Sequence, residues 1–229
     1  MRSTVGADPL FYTEAYFAGD SGVESAWSAL LRSAKDPSMS DGGWDSLRQV
    51  CDRAVADVRR RGWLISRLDA VVSVPSRMCR LRRRGMSLPD EFARALHDSL
   101  GLRYEADALI PAVDHIEIKR IAFEFRRQAV AGTFAAATRR LVGKSVLLVD
   151  DISTSGATLA ECAQQLRNAG VSAVFAYALG RTADSPRRSA SCWCDESQIH
   201  EVTFVDPPRE FGCWTRKVEP PARNVECSD

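Results

Sequence analysis

The sequence predicts an α/β fold in which helices flank a parallel β-sheet, and two observations support this prediction. Short apolar runs recur at residues 69–74, 146–149 and 171–179, and a weaker run that also predicts a strand lies at 108–113. Continuous apolar runs of this length are typical of strands that are buried on both faces of a sheet. Segments with helical periodicity separate the runs, and strands that alternate with helices along a chain form a parallel sheet.

Composition narrows the class of protein further. A chain of 229 residues with 45% hydrophobic residues can form one good-sized domain, or one domain with an appendage. Its net charge of +1 gives no global attraction to nucleic acid or membranes. No apolar run approaches a membrane span and no signal pattern opens the chain, so we expect a cytoplasmic protein. Most of its seven cysteines are then expected to be free thiols.

The chain is predicted to have three parts. Residues 1–66 are interpreted as an N-terminal helical appendage or hood, because amphipathic helices are predicted at 23–34 and 44–63. Residues 67–205 hold the alternating strands and helices of the main domain. Residues 206–229 are proline-rich and irregular, which predicts a C-terminal tail.

The most informative stretch runs from Val146 to Thr158. Its four opening apolar residues predict a buried strand, and two carboxylates, Asp150 and Asp151, follow at once. A loop of small and hydroxyl-bearing residues comes next, and a helix begins there and ends at Gly170. The unit is therefore a strand, an acidic pair, a hydroxyl-rich loop and a helix.

Each part of this unit has a chemical use. Thr, Ser and Gly at a helix N-terminus present backbone N–H groups, hydroxyl donors and the positive end of the helix dipole, which suit a phosphate monoester. The two acids can accept hydrogen bonds from vicinal hydroxyls or assist a metal ion. A phosphorylated sugar diol satisfies both halves, at the edge of the sheet where α/β proteins bind ligands. An ordinary strand–helix turn with a helix cap is the alternative.

Residues 146–158 resemble the phosphoribosyl pyrophosphate (PRPP) binding signature of type I phosphoribosyltransferases at all thirteen positions. The resemblance implies a type I phosphoribosyltransferase-like fold. It also implies that Asp150 and Asp151 hold the ribose 2′- and 3′-hydroxyls. The residues implied to hold the 5-phosphate are Ser153, Thr154, Ser155, Gly156, Ala157 and Thr158.

A second candidate segment follows the apolar run at 69–74. Five arginines fall within eight residues, from Arg77 to Arg84, in what we expect to be a loop. Guanidinium groups bind phosphate oxygens in bidentate geometry, so one interpretation is pyrophosphate binding. The alternative is a solvated or nucleic-acid-facing patch.

The spacing of this second segment resembles the ComF-like branch of the phosphoribosyltransferases. The dipeptides that match it are Val74-Pro75, Arg84-Gly85 and Phe92-Ala93. The last of these lies in a helix that we predict from its one apolar face, with Pro89 near its start and Gly101 at its end. Met86-Ser87 departs from the pattern, because that branch usually has Phe-Asn there. The resemblance implies that Ser76 and Arg77 meet the pyrophosphate and that Arg84 assists them.

Basic and aromatic residues interleave through residues 115–134. Residues 127–134 resemble the R-x-N-V-x-G-A-F pattern of the ComF-like branch, with Ala129 in place of its Asn. The resemblance implies a mobile loop that closes over the reacting centre and brings cations to the departing pyrophosphate. The implied cations are Lys119, Arg120, Arg126 and Arg127. Binding of single-stranded nucleic acid and a solvated amphipathic segment are the alternatives.

Structural zinc is an alternative to consider near the C-terminus. The candidate ligands are Cys192, Cys194, His200, Cys213 and Cys227, whose spacing matches no compact ribbon or finger. The chain also lacks the N-terminal zinc ribbon that is usual in the ComF-like branch, since Cys51 is the only cysteine before residue 79. We therefore assign no protein-held metal.

The resemblance implies a phosphoribosyltransferase. PRPP, with a Mg²⁺ ion held mainly by PRPP oxygens, would donate its 5-phosphoribosyl group to a nitrogen nucleophile, expected to be a nucleobase, and release pyrophosphate. The implied catalytic residues, Asp150, Asp151, Arg126 and Arg127, act by positioning and electrostatic stabilisation. A homodimer is one expected state, since dimers are common in the family. The alternative is a regulatory protein that binds PRPP or a nucleotide without turnover and acts through a partner or nucleic acid.

Overall fold

The computed structural model describes residues 8–18, 25–39, 41–76, 78–112, 129–183 and 202–204. The strands are β1 (Asp8–Tyr16), β2 (Ala70–Ser73), β3 (Arg103–Tyr104), β4 (Leu109–Pro111), β5 (Phe134–Ala136), β6 (Ser145–Ser153), β7 (Ala173–Thr182) and β8 (Val202–Phe204). The helices are α1 (Ala26–Lys35), α2 (Gly43–Arg60), α3 (Gly62–Ile65), α4 (Met78–Arg84), α5 (Leu88–Leu100) and α6 (Ala157–Asn168), with a 3₁₀ turn at Pro37–Met39.

Six strands form one sheet in the order β3-β2-β6-β7-β1-β8. Neighbouring strands run parallel except at the edge, where β8 pairs antiparallel with β1. The prediction of a parallel sheet flanked by helices is therefore confirmed. The apolar run at 146–149 lies in β6, near the middle of the sheet, and all four of its residues are fully buried.

Alternate residues of the strands point to the two faces of the sheet, and each face has its own apolar core. On one face, Leu147 and Val149 pack with residues of α1, α2 and α5. On the other face, Val146 and Leu148 pack with residues of α6 and with Leu109 of β4. Burial on both faces explains why β6 opens with a continuous apolar run.

The N-terminal region is more than the helical appendage that the sequence predicted for residues 1–66. Strand β1 lies inside the sheet between β7 and β8, with Leu10 opposite Ala176 and Phe11 opposite Tyr177. Leu10 and Phe11 are fully buried, one on each face. The predicted helices are present as α1 and α2, but they cover the sheet, so this region is part of the main domain's core.

Two further predictions can be compared with the structure. The helix after residue 85 is present as α5, and Gly101 ends it with a positive φ of 70°, as glycine commonly does at this position. The apolar run at 108–113 contains β4, but β4 pairs antiparallel with β5 outside the main sheet. The predicted C-terminal tail, residues 206–229, lies outside the described residues.

A buried polar network joins β1, α2 and β7. The Tyr177 hydroxyl donates a hydrogen bond of 2.7 Å to Oδ2 of Asp57, and the Arg61 guanidinium donates to the same oxygen at 3.0 and 3.2 Å. Arg60, which is largely exposed, donates to the other carboxylate oxygen at 3.0 Å. The Arg61 guanidinium also lies 5.0 Å from the centre of the Phe11 ring. The network therefore satisfies two buried charges at once.

Cys51 and Cys162 are buried free thiols, as expected for cysteines outside a disulfide framework. Burial raises the pKa of Cys51 to about 12 and the pKa of Cys162 well above its usual value. Among the helices of the described ranges, none has the length and apolarity that a bilayer crossing requires.

Candidate active site

The acidic pair and the hydroxyl-rich loop lie where β6 passes into α6. Asp150 and Asp151 stand at the carboxyl end of β6, which extends to Ser153. Gly156 precedes α6 with a φ of 72°, a left-handed conformation that glycine adopts at little cost. The first backbone N–H groups of a helix have no partner within the helix, so α6 presents donors and the positive end of its dipole at this edge.

The two carboxylates differ in their surroundings. Asp150 is half-buried and accepts a hydrogen bond of 2.8 Å from the backbone N–H of Asp151. Burial, followed by the negative charge of Asp151, raises the pKa of Asp150 from 3.8 to about 8. Asp151 accepts a hydrogen bond of 2.5 Å from the backbone N–H of Ile152 through Oδ1. At neutral pH the pair therefore carries less than two full negative charges.

Lys35, the last residue of α1, contacts the acidic pair. Its Nζ lies 2.7 Å from Oδ2 of Asp151, and one fifth of each side chain is exposed. The sequence analysis missed this residue, because Lys35 sits at the start of a polar stretch and is distant from residue 151 along the chain. The sequence did predict an amphipathic helix at 23–34, and the end of this helix was the available signal for a residue at the site. The structure extends the helix to Lys35.

The hydroxyls of the loop have different environments. Thr154 is exposed, and its Oγ1 lies 2.9 Å from Oγ1 of Thr182 on β7. Ser153 Oγ is buried and has no hydrogen-bond partner within the described ranges. Ser155 and Thr158 are half-buried. The loop therefore offers exposed, half-buried and buried hydroxyls beside the N-terminus of α6.

The second candidate segment leaves the sheet beside the first. Strands β2 and β6 are parallel neighbours, with Ser73 opposite Val149, and the backbone N–H of Val74 donates to Val149 O at 2.8 Å. Ser76 follows, and its Oγ lies 2.8 Å from Oγ of Ser87, ahead of α5. Parallel pairing thus brings Ser76 and Asp150 to the same edge of the sheet.

A polar cluster that the sequence analysis did not identify supports this edge. Asp90 Oδ1 accepts hydrogen bonds from Ser73 Oγ at 2.5 Å and from the Tyr104 hydroxyl at 3.0 Å. Burial raises the pKa of Tyr104 to about 12, so this hydroxyl keeps its proton. The cluster links β2, β3 and the first turn of α5. Ser73, its member on β2, lies at the end of the strand that leads to Ser76.

The arginine-rich segment is a helix, which corrects the prediction of a loop. Residues 78–84 form α4, and Gly85 follows with a positive φ of 71°. Met, Leu and Arg are good helix formers, which accounts for the difference. Arg84 is mostly buried, and its Nε lies 3.7 Å from Oδ2 of Asp36, the residue after Lys35. Arg77 lies outside the described residues.

Several predicted residues cannot be compared with the structure. The implied cations of the closing loop, Lys119, Arg120, Arg126 and Arg127, lie outside the described ranges, and so do the zinc candidates Cys192, Cys194, His200, Cys213 and Cys227. Within the ranges that the structure describes, no three or more His, Cys, Asp or Glu side chains form a group that could hold a metal ion.

Two surface clefts lie away from these residues. They have volumes of about 570 and 530 Å³, share Ala137 and Thr138 in their walls, and contain none of the predicted site residues. The candidate site is instead an open edge of the sheet, formed by the ends of β2 and β6, the loop before α6 and the end of α1.

Comparisons with known proteins agree with this arrangement. A family model described as "Phosphoribosyl transferase domain" matches residues 91–211, more than half of the chain. The DNA utilization protein YhgH of Escherichia coli strain K12 is 29% identical over 114 residues, which are 50% of this chain and 50% of that protein. The chain thus spans about half the length of the curated relatives it matches.

Solved structures give more distant similarities. The glutamine PRPP amidotransferase of B. subtilis is 24% identical with a TM-score of 0.32, over 48% of this chain and 22% of that chain. A purine phosphoribosyltransferase from Pyrococcus horikoshii is 14% identical with a TM-score of 0.37, over 61% of this chain and 84% of that chain.

Proposed function

Because the chain belongs to the phosphoribosyl transferase domain family, we propose that it transfers the 5-phosphoribosyl group of PRPP to a nitrogen nucleophile and releases pyrophosphate. The bond between ribose C1 and the pyrophosphate oxygen breaks, a bond between C1 and the acceptor nitrogen forms, and the proton that this nitrogen loses passes to the pyrophosphate or to water. The observation that carries this proposal is the position of Asp150 and Asp151 directly ahead of α6, at the carboxyl edge of the sheet.

In the proposed complex, the 5-phosphate lies at the N-terminus of α6. The backbone N–H groups of the first turn and the hydroxyls of Thr154, Ser155 and Thr158 are the donors, and the helix dipole favours the negative charge. Gly156 lets the backbone approach the phosphate closely, because it has no side chain. Ser153, whose buried hydroxyl has no partner in the described ranges, stands at the base of this loop.

The ribose diol binds to the acidic pair. The Asp151 carboxylate accepts a hydrogen bond from one ribose hydroxyl. Asp150, whose pKa is raised by burial and by Asp151, holds a proton over much of the neutral range and can donate it in a hydrogen bond to the other ribose oxygen. One donor and one acceptor suit two neighbouring hydroxyls, each of which can donate and accept.

The pyrophosphate extends toward the end of β2. Ser76 lies at the same edge of the sheet as Asp150, and Arg84 of α4 approaches from the side of α1. Arg77 and the closing-loop residues Arg126 and Arg127 are proposed to add charge there, together with Lys119 and Arg120. Positive groups placed where charge develops on the leaving pyrophosphate stabilise the transition state.

A Mg²⁺ ion fits this proposal as a companion of PRPP. Mg²⁺ prefers oxygen ligands and commonly keeps substrate phosphates and waters in its shell. When bound, the ion neutralises part of the charge on the pyrophosphate.

A second candidate function follows from the name of the relative. The matched E. coli protein is named a DNA utilization protein. We infer as the alternative that this chain binds PRPP or a nucleotide without turnover, and that it acts in a process that uses DNA. The exposed Arg82 and Arg83 of α4 favour a contact with a phosphate backbone beside the site.

Pyrophosphate release separates the two functions. The protein is incubated with PRPP, Mg²⁺ and, one at a time, purine and pyrimidine bases, and pyrophosphate is measured. The transferase releases pyrophosphate with at least one base, and the variant Asp150→Asn/Asp151→Asn does not. PRPP binding without release for any base would favour the regulatory protein and contradict the proposed transfer to a nucleobase.

A further inference from the structure

The C-terminal end of α1 enters the candidate site, although it lies outside the residues that the family model matches. Lys35 Nζ lies 2.7 Å from Asp151 Oδ2, and both side chains are four-fifths buried. The neighbouring residue, Asp36, approaches Arg84 Nε to 3.7 Å through Oδ2. Lys35, the last residue of α1, and Asp36, its C-cap, therefore contact the two segments that the proposed function assigns to PRPP. Lys35 contacts the acidic pair, and Asp36 contacts the arginine-rich helix α4.

Packing fixes the position of this helix end. Leu31, one turn before Lys35, packs against Gly180 of β7, where an added β-carbon would lie 2.9 Å from Leu31 Cδ1. Beyond Lys35, the backbone of Pro37 packs against Gly43, where an added β-carbon would lie 2.4 Å from the Pro37 carbonyl oxygen. The lack of room for a β-carbon at either glycine shows that the chain on both sides of Lys35 packs closely, against β7 before it and against α2 after it.

The ion pair orients the Asp151 carboxylate. Oδ1 accepts a hydrogen bond from the backbone N–H of Ile152 at 2.5 Å, and Oδ2 faces Lys35. Because both oxygens are held, the Asp151 carboxylate keeps one orientation. A ligand that binds to it therefore causes a smaller loss of side-chain conformational entropy.

The charge of Lys35 also acts on the other member of the pair. The titratable groups near Asp150 are Asp151 on its own strand, Lys35 on α1 and Cys162 on α6. Burial and Asp151 raise the pKa of Asp150, and Lys35 opposes them. Lys35 is thus a cation that limits the repulsion between two adjacent acids.

We propose that Lys35 is a positioning residue of the PRPP site, which holds the Asp151 carboxylate in the orientation that accepts the ribose diol. This inference rests on the proposed function, because it assigns Lys35 to the diol half of the same site. It places a determinant of ribose recognition on the N-terminal helix, which is distant along the chain from the strand–helix unit that carries the acidic pair.

The test compares two sugar phosphates in variants of one residue. Binding of ribose 5-phosphate and of 2-deoxyribose 5-phosphate, which lacks one hydroxyl of the diol, is measured by calorimetry for the wild type, Lys35→Met and Lys35→Arg. Loss of a charge-assisted contact that orients Asp151 predicts about tenfold weaker binding of ribose 5-phosphate to Lys35→Met. Binding of the deoxy sugar changes less than about twofold, and Lys35→Arg restores most of the loss, because it keeps the charge.

Lys144→Met is the matched control. Lys144, the residue before β6, has its Nζ 3.1 Å from Oδ1 of Asp69, the residue before β2, so this variant also removes a lysine–aspartate pair, at the opposite end of these strands. It is expected to bind both sugar phosphates like the wild type. Lys35→Gln, which keeps a polar side chain, replaces Lys35→Met if the latter does not fold, as judged by its circular dichroism.

The outcomes separate the inference from the proposed function. If the wild type binds PRPP and Lys35→Met binds ribose 5-phosphate as tightly as the wild type, the positioning role is overturned while the proposed function stands. Equal losses for the two sugar phosphates would also overturn it, because Lys35 would then support the fold and not the diol. If the wild type binds neither PRPP nor ribose 5-phosphate, the proposed function and this inference fall together.

Discussion

Gly180 of β7 lies directly against Leu31 of α1: a β-carbon added to Gly180 would come within 2.9 Å of Leu31 Cδ1 and 3.0 Å of Tyr16 Cβ. This contact lets α1 lie close to the sheet near the carboxyl ends of β6 and β7. Lys35, one turn further along α1, then reaches Asp151. A glycine on a strand thus helps to determine which residues meet at the candidate site.

Gly180→Ala is therefore expected to destabilise the protein. The added methyl group overpacks the contact with Leu31 and Tyr16, and overpacking of a close-packed core costs about 1–3 kcal/mol. The measurement is the free energy of unfolding in urea. Gly62→Ala is the control, because an added β-carbon there meets nothing within 4 Å. If both alanine variants had the same stability, close packing of α1 at Gly180 would be excluded.

The buried network around Asp57 gives a prediction about stability. Asp57→Ala removes the carboxylate and leaves the Arg61 guanidinium, which is 4% exposed, without its charge partner. Leaving a buried charge unpaired costs about 3–5 kcal/mol of unfolding free energy. Chemical denaturation of the variant measures this loss.

Arg60→Ala provides the comparison within the same network. Arg60 donates to the other oxygen of Asp57, but 68% of its side chain is exposed. Exposed ion pairs contribute about 0–1 kcal/mol, so this variant should be nearly as stable as the wild type. A similar loss for Asp57→Ala and Arg60→Ala would show that burial does not determine the strength of these contacts.

Asp150 is expected to make stability depend on pH. Burial and Asp151 raise its pKa from 3.8 to about 8, so between these values the folded protein holds a proton that the unfolded chain releases. The contribution of this proton to stability is complete below pH 3.8 and is lost as the pH rises to about 8. Asn at position 150 cannot titrate, so the variant Asp150→Asn does not lose this contribution. Its free energy of unfolding should therefore increase relative to that of the wild type as the pH rises from about 5 to about 8.

Unfolding in urea at several pH values measures this difference. A difference between Asp150→Asn and the wild type that stays constant or shrinks as the pH rises would mean that the pKa of Asp150 is not raised in the folded protein.

The parts of the fold that the sequence predicted are those with a local signal. The run at 146–149 is apolar because both faces of β6 are covered, and the acids and the glycine follow it directly in the chain. Strand, acidic pair, loop and helix could therefore be read from adjacent residues. Helix α5 was predicted from its buried face and from Gly101 for the same reason.

The parts that were missed depend on contacts between distant residues. Strand β1 carries Thr13 and Glu14 among its apolar residues, so its own sequence does not distinguish an arm from a central strand. Its place between β7 and β8 comes from pairing with residues more than 150 positions away. The ion pair of Lys35 with Asp151 likewise joins residues that are distant in the chain, and the packing of α1 on the sheet brings them together. Sequence periodicity carries no information about such pairs.

PRPP-dependent stabilisation of the folded protein tests the central claim most directly. Thermal unfolding is followed in the presence of Mg²⁺, with and without PRPP, for the wild type and for Asp150→Asn/Asp151→Asn. Ribose 5-phosphate, which lacks the pyrophosphate of PRPP, is the control ligand. At one hundred times its Kd, PRPP should stabilise the wild type by about 2.7 kcal/mol, which raises Tm by about 5–10 °C for a chain of this size. The double variant should fold and show no such rise. An unchanged Tm for the folded wild type, or an equal rise in the double variant, would contradict the assignment of the acidic pair to PRPP.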